Sequence, residues 1–535
     1  MFALLRDAGL LPPAKRPSGA NSAGAQRARV SANGNAAPVV PEDSEVIKEK
    51  GYRGAYLRMG PGTHPVPKAL FATNREKLVT HLKKTGHVQL PAVALLKGGE
   101  EVTRFDSDHE PVFRQESYFA YLFGVVEPGF YGTVDLETGA STLFIPRLPD
   151  EYGVFMGKIE DPEYYKRKYR VDAAYYVEEL PKVLENRRLY VRKGLNSDSG
   201  KFSEPAWFEG MDKFDVDSSV LLHNALTECR VRKTALEIEL LKYANRITSA
   251  AHVKLLQDVK PSMYEYQVEA TFKYHVQMHG AMRNMAYTCI CASGPNASVL
   301  HYGHAGAPND RELESGDMML CDLGAEYSFY ASDITCSFPV NGKFSEEQKG
   351  VYNLVLAAQK AVLGQMKAGT SWPKMHRLAE RHIIKGLIEL GLLIGDIEQM
   401  LEAEMGAVFM PHGLGHLMGI DTHDVGGYIE GVTPDRIQRP GIRSLRTART
   451  LEEGMVITVE PGCYFIKSCL DKAQQDDRQK HFLNMEEIEK FSSFGGVRIE
   501  DNVLVTANGI DNFSNVPRTI EEIEAVMAGA AWPLQ

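Results

Sequence analysis

The chain has 535 residues, enough for more than one domain with its own core, and its 60 Lys+Arg against 70 Asp+Glu leave a net charge of −10, which argues against a nucleic-acid partner. No apolar run approaches the length of a membrane span. Seven scattered cysteines, Cys229, Cys289, Cys291, Cys321, Cys336, Cys463 and Cys469, make neither a disulfide framework nor a paired zinc site, so a reducing compartment fits.

Residues 1–45 carry five basic side chains and only Asp7 as an acid before Glu42, in a background of Ala, Ser, Gly, Asn and Pro that builds no core. Disorder is expected there. The composition suits a chloroplast or mitochondrial transit peptide, or equally an untargeted extension of a cytoplasmic protein. Residues 46–228 alternate short strands and helices. Strands are predicted over 88–96 and, as a hairpin around Glu137-Thr-Gly139, over 131–145; helices are predicted over 74–84 and 162–168. A capping box of Thr234 with Glu237 opens a long amphipathic helix with Leu236, Leu240, Tyr243, Ala244, Ile247 and Ala251 on one stripe. The boundary is placed just before it, giving a second domain over 229–535. Helices over 263–279, 348–367 and 372–392 are interleaved there with strands, an α+β arrangement.

Asp322 and Asp333 lie in an apolar, β-branched stretch with a break near Tyr327-Ser328. A two-residue turn at that break puts Asp322 directly across from Asp333, with Cβ atoms about 4.5–5.5 Å apart. Like charges so placed repel unless a divalent cation sits between them. Alternation sends Cys321 to the core. His416 closes His412-Gly-Leu-Gly-His416, whose glycines permit close backbone approach; His412 suits a supporting place rather than a ligand. Glu460 follows the apolar run Met455–Val459 and is presented at a strand end by Pro461-Gly462. In Gly495–Thr506 alternation puts Arg498 and Glu500 on one face, where the arginine would keep the carboxylate ionised and oriented. The charged stretch 471–490 reads as a solvated excursion. His109, His252, His275 and His304 read as structural or surface residues.

Asp322, Asp333, His416, Glu460 and Glu500 form the set a two-metal hydrolase needs. Four carboxylates and one imidazole favour hard cations such as Mn²⁺ or Mg²⁺ over sulfur-loving ones. Two metals about 3.5–4 Å apart can share a water and lower its pKa.

In order along the chain, His301-Tyr-Gly-His-Ala, the Asp322/Asp333 pair, His412–His416, His423-Asp-Val-Gly-Gly427, Val459-Glu-Pro-Gly462 and Val497-Arg-Ile-Glu-Asp501 resemble the pita-bread metallopeptidases. That family contains methionine aminopeptidase, aminopeptidase P and prolidase, and the prolidase branch is the nearest match. The similarity runs nearly from Ala69 to the C-terminus through Phe113–Tyr118, Glu127-Pro-Gly129 and Arg443–Arg449. It implies a pita-bread catalytic domain behind a smaller α/β creatinase/prolidase-type N-terminal domain, and a homodimer formed through the latter. It further implies two Mn²⁺ per subunit, with Co²⁺, Zn²⁺ or Mg²⁺ as alternatives. Asp322 would hold one metal, His416 and Glu460 the other, and Asp333 and Glu500 both. His301, His423 and Arg446 would contact substrate, with Tyr287 and Arg498 supporting the centre.

The activity so implied is hydrolysis of Xaa-Pro dipeptides, releasing proline, by a metal-bridging hydroxide. His423 would steady the oxyanion, Glu460 would pass a proton to the leaving nitrogen, and Arg446 would capture the free carboxylate and so limit substrates to dipeptides. The rival is aminopeptidase P action on longer Xaa-Pro peptides. A metal-free binding module and creatinase-type chemistry both sit badly with five intact ligands.

Overall fold

A computed structural model describes residues 56–60, 62–304 and 306–534; the expected leader lies outside them. The N-terminal half is built on a six-stranded mixed sheet in the order Ala173–Tyr176, Ser141–Ile145, Tyr131–Asp135, Ala92–Lys97, Arg188–Val191, Val216–Asp217. Period-two alternation gives the sheet two apolar faces. Ala92, Ala94 and Leu96 join the core beneath the helices Ala69–Thr85 and Ser117–Phe123, while Val93 and Leu95 meet Leu189, Val191 and Phe208 on the other side. The strand predicted from 88 starts at Ala92, because Pro91 lacks the N–H a ladder needs. The hairpin over 131–145 forms as expected, its turn tied by Asp135 Oδ1 accepting from the amides of Glu137 and Thr138.

The helix Leu221–Val231 runs through position 229, so the halves are joined by helix rather than open linker. Helix Ala235–Asp258 follows, opened by the Thr234/Glu237 capping box, and all six stripe residues are buried. The helices expected further on are Glu265–Gly280, Glu346–Leu363 and Trp372–Glu389. Among the described residues no helix is long and apolar enough to cross a membrane. Segment 471–490 is largely solvent-facing, as expected, but it is folded: helix Lys467–Gln475 buries Ala473, the turn Lys480–Phe482 buries Phe482, helix Met485–Glu489 buries Ile488, and the Phe482 carbonyl accepts from Ile394 N–H.

Two sets of strands carry the site. Ile290–Ser293, Met318–Leu323 and Ile334–Pro339 form one antiparallel sheet. Val456–Val459 with Asp501–Val505, and Gly462–Tyr464 with Gly496–Arg498, form two short ladders in one common register. The bridge Thr335↔Glu500 joins the two sets.

Candidate metal centre

The turn after Met318–Leu323 comes one residue later than the sequence suggests. Tyr327 and Tyr330 exchange both backbone bonds around Ser328 and Phe329, whose φ values of 47° and 77° are those of a two-residue primed turn. The register therefore slides by two residues, and Asp322 lies opposite Thr335 instead of Asp333. A two-residue slide preserves the face, so Asp333 becomes the diagonal neighbour of Asp322.

Two carboxylates do stand directly opposite each other, but they are Glu460 and Glu500. Val459 pairs with Asp501 and Gly462 with Arg498, so the shared register sets position 460 across from 500. One lateral row thus crosses the joined sheets: Ile290, Asp322, Thr335, Glu500, Glu460. His416 enters from a further antiparallel segment, its carbonyl accepting from Thr458 N–H while Leu414 O accepts from Glu460 N–H. Gly415 is required there, since a Cβ would run into the Thr458 carbonyl.

The side chains converge. Tyr287 Oη lies 2.6 Å from Oδ1 of both Asp322 and Asp333. His416 Nε2 is 3.3 Å from Asp333 Oδ2 and 3.6 Å from Glu460 Oε1. Its Nδ1 sits 3.1 Å from the Leu417 carbonyl, which fixes the proton on Nδ1 and leaves Nε2 as the ligand atom. Thr335 Oγ1 donates to Glu500 Oε2 at 2.7 Å. One ligand atom each from Asp333, His416 and Glu500 falls within 4.8 Å of the others, the one such group of three among the described residues. The donor set fits divalent cations: buried, oxygen-rich and short of positive charge.

That shortage shows in the protonation equilibria. Burial, then the neighbouring acids, pushes Glu460 up to about 7 and Glu500 well above the usual carboxylate range. Asp333 is raised by burial and Asp322. Burial opposes charge on His416, but Asp333 and Glu460 outweigh it and raise the imidazole. Burial, with Arg498 next, lowers His412 to about 3. Burial and the His416 charge lower His423 to about 2.

Arg498 favours the ionised form of Glu500 through its charge, as expected, but its hydrogen bonds go elsewhere. It donates to Asp322 Oδ2 at 2.6 Å and to Tyr464 Oη at 2.8 Å, and the same hydroxyl lies 3.0 Å from His412 Nε2. His412 Nδ1 is engaged by the Gly413 carbonyl, so both its nitrogens are occupied. Thr335, Thr458 and Tyr464 escaped the sequence reading. Each shares the parity of a ligand, two residues after Asp333, two before Glu460 and four after Glu460, and extending the alternation finds them.

A cavity of about 760 Å³ stands over this row, lined also by His301, His304, His423 and Arg446. The His423 ring meets His416 edge-on at 4.5 Å between centroids. Arg446 comes from the far wall and pairs with Asp198 of the N-terminal half. Arg114, from the Phe113–Tyr118 segment, reaches the same wall by donating to the Ile420 carbonyl at 2.9 Å.

Residues 239–507 match the family described as Metallopeptidase family M24, and residues 71–191 the Aminopeptidase P, N-terminal domain. A Mus musculus Xaa-Pro dipeptidase is 53% identical over 88% of this chain and 96% of its own length. The Homo sapiens Xaa-Pro dipeptidase is 52% identical over 89% and 97%. Among solved structures, a Pseudomonas aeruginosa aminopeptidase superposes with a TM-score of 0.70 at 31% identity, covering 86% of this chain and 98% of the other. With both halves matched in order and relatives above half identity across almost their whole length, the chain belongs to metallopeptidase family M24.

Proposed function

We propose that the protein hydrolyses Xaa-Pro dipeptides and releases free proline. The observation that carries this reading is the placement of an acid-rich, buried ligand row beneath a cavity lined by the Arg446 guanidinium and the neutral imidazole of His423. The relatives described as dipeptidases stand at 52–53% identity, against 31% for the aminopeptidase structure, which favours the dipeptide reading over cleavage of longer Xaa-Pro chains.

Asp322 is assigned to one metal, His416 and Glu460 to the other, and Asp333 and Glu500 to both, with two Mn²⁺ per subunit. Cations bound there would acidify a water and polarise the peptide carbonyl. The protein's own part is orientation and proton handling. Arg446 holds the substrate's C-terminal carboxylate as a planar two-pronged donor, which sets both register and length. His301 adds a second polar contact on that wall. His423, held neutral chiefly by burial, donates to the carbonyl oxygen as charge develops. Glu460 would accept the proton from the attacking water and deliver it to the proline nitrogen, which as a tertiary amide has no N–H of its own. Tyr287 and Arg498 hold Asp322, and His412 braces Tyr464. A division into 46–228 and 229–535 belongs to the same reading, supported by the two separately matched halves, and homodimerisation is carried over from the family likeness alone.

Metal-stripped protein given Mn²⁺, Co²⁺ or Zn²⁺ in turn, and assayed on Gly-Pro and Gly-Pro-Gly, tests the proposal. Restored cleavage of Gly-Pro with little of the tripeptide is expected. Preference for the tripeptide makes the protein an aminopeptidase, and metal-independent activity removes the site assignment.

A further inference from the structure

We propose that Asp198, on a hairpin arm of the N-terminal half, is the positioning residue for the Arg446 guanidinium, and through it for the carboxyl end of the substrate. The inference rests on the dipeptidase reading above. Arg446 Nη1 lies 3.2 Å from Asp198 Oδ1, with the two side chains 28% and 15% exposed. A charge pair this enclosed is screened far less than a surface pair.

The arm is built to hold that carboxylate in place. Residues 194–203 fold back through Asn196 N–H to Lys201 O, Ser203 N–H to Gly194 O and the bridge Leu195↔Phe202. Asn196 Oδ1 accepts from the amides of Asp198 and Ser199, which fixes the tip. On the opposite side, Tyr428 Oη donates to the Leu445 carbonyl at 3.0 Å and Arg436 donates to the same oxygen, so the backbone entering Arg446 is anchored as well. Both ends of the pair are therefore pinned, and they come from different halves of the chain.

The orientation matters more than the contact. Arg446 lines the cavity and Asp198 does not, so the carboxylate grips the guanidinium from behind. An arginine has five N–H groups in a rigid fork, and Asp198 meets it at Nη1, which leaves other N–H groups for a second carboxylate. Asp198 Oδ1 is itself buried and makes no hydrogen bond of good geometry. The pair is an electrostatic restraint that guides the fork without consuming it. Without the acid, the long side chain would regain its rotamer freedom and meet the substrate in many orientations.

The test is the Michaelis constant, with Arg446→Ala as reference. Asp198→Asn is expected to raise KM for Gly-Pro about ten-fold while kcat changes little, as befits lost binding common to ground and transition states. KM for Gly-Pro-amide, which has no carboxylate for Arg446, should not move. In the double variant the two effects should be far from additive. Lys201→Ala, which alters the arm away from the pair, controls for general disturbance, and Asp198→Glu should restore part of the binding even if Asp198→Asn folds poorly. An unchanged KM in Asp198→Asn, additivity with Arg446→Ala, or equal behaviour of Asp198→Glu and Asp198→Asn overturns the proposal. Wild-type protein that cleaves neither Gly-Pro nor Gly-Pro-Gly sinks the dipeptidase reading instead. The pair is then read from calorimetric binding of L-proline to wild type and Asp198→Asn, where equal affinities overturn it.

Discussion

Arg498 donates from Nη2 to Asp322 Oδ2 at 2.6 Å, joining two buried side chains 176 positions apart in sequence. The same guanidinium donates to Tyr464 Oη, and its Nε lies 3.3 Å from Thr335 Oγ1, so one residue aligns an acid, a phenol and a hydroxyl around the ligand row. Groups that orient metal ligands in this way are worth about 10–100-fold in metal affinity. Arg498→Met should weaken metal binding by that amount in a chelator-competition titration. Arg498→Lys should recover only part of it, because a point charge cannot address three acceptors in a plane. Undiminished affinity in Arg498→Met would show that Asp322 is held by other means.

The crowding of Glu460, Glu500 and Asp333 gives the metal-stripped protein an unusual pH response. Glu460 is raised from 4.5 to about 7 in the folded chain, mainly by burial, and Glu500 and Asp333 shift the same way. A folded pKa above the unfolded one means that the native state holds the extra proton. The stabilising contribution is complete below about 4.5 and is lost as pH rises through about 7. Depressed histidines such as His412 and His423 act in the opposite sense over the same range, so the acids are read by difference: the Tm of metal-free wild type minus that of Glu460→Gln should fall across that window. Added Mn²⁺ should reverse the fall, since bound cations replace the protons, and proton release on binding should be measurable in two buffers of different ionisation enthalpy. A difference between wild type and Glu460→Gln that stays flat with pH would contradict the clustering of charge.

Period-two alternation made most of the ligand row legible in the sequence, and the reason is instructive. The reading set the Asp322/Asp333 turn one residue early, yet both acids still share a face, because the resulting slide of two residues conserves parity. The turn itself was hard to place, as Ser328 and Phe329 lack the glycine or asparagine that usually marks left-handed positions. Hidden altogether were relationships between strands distant in sequence. Nothing local in Arg498 says that its partner is Asp322 rather than Glu500, and nothing near Arg446 points to Asp198. The solvated character of segment 471–490 is legible in its charge, but its anchors are not, because only Ala473, Phe482 and Ile488 among many charged residues are buried.

Gly415 tests the close approach that His416 depends on. Its missing Cβ would collide with the Thr458 carbonyl and crowd Thr458 Oγ1, which accepts from the His416 amide at 3.0 Å. Backbone cannot swing aside as a side-chain end can. Gly415→Ala should cost about 1–3 kcal/mol in urea unfolding, the range for overpacked sites, and lower metal affinity as His416 is displaced. Gly509→Ala, where open space surrounds the site and the backbone suits any residue, should leave metal affinity untouched and serves as comparison. If Gly415→Ala binds metal like the parent, the loop has slack that the geometry denies.

The loop that presents His423 is pinned by buried charge from its own half of the chain and by a hydroxyl from the N-terminal half. Asp424 receives Arg230 at 2.6 Å and Lys233 at 2.9 Å, all three side chains 1% exposed, while Asp421 accepts from Arg230 at 2.7 Å and from Ser117 Oγ at 2.6 Å. Removing one partner of a buried ionic cluster leaves the others uncompensated and costs about 3–5 kcal/mol. Asp424→Asn should therefore lose that much stability in urea. Asp421, whose side chain is 36% exposed, sits in a better screened place, so Asp421→Asn should lose less than about 1 kcal/mol. Because both acids flank His423, the two variants separate stability from function. If the loop's position sets the imidazole, Asp421→Asn should still lower kcat more than it lowers Tm would suggest, and the loss should persist at temperatures where the variant is fully folded. Full kcat in Asp421→Asn would show that Asp424 alone fixes the loop.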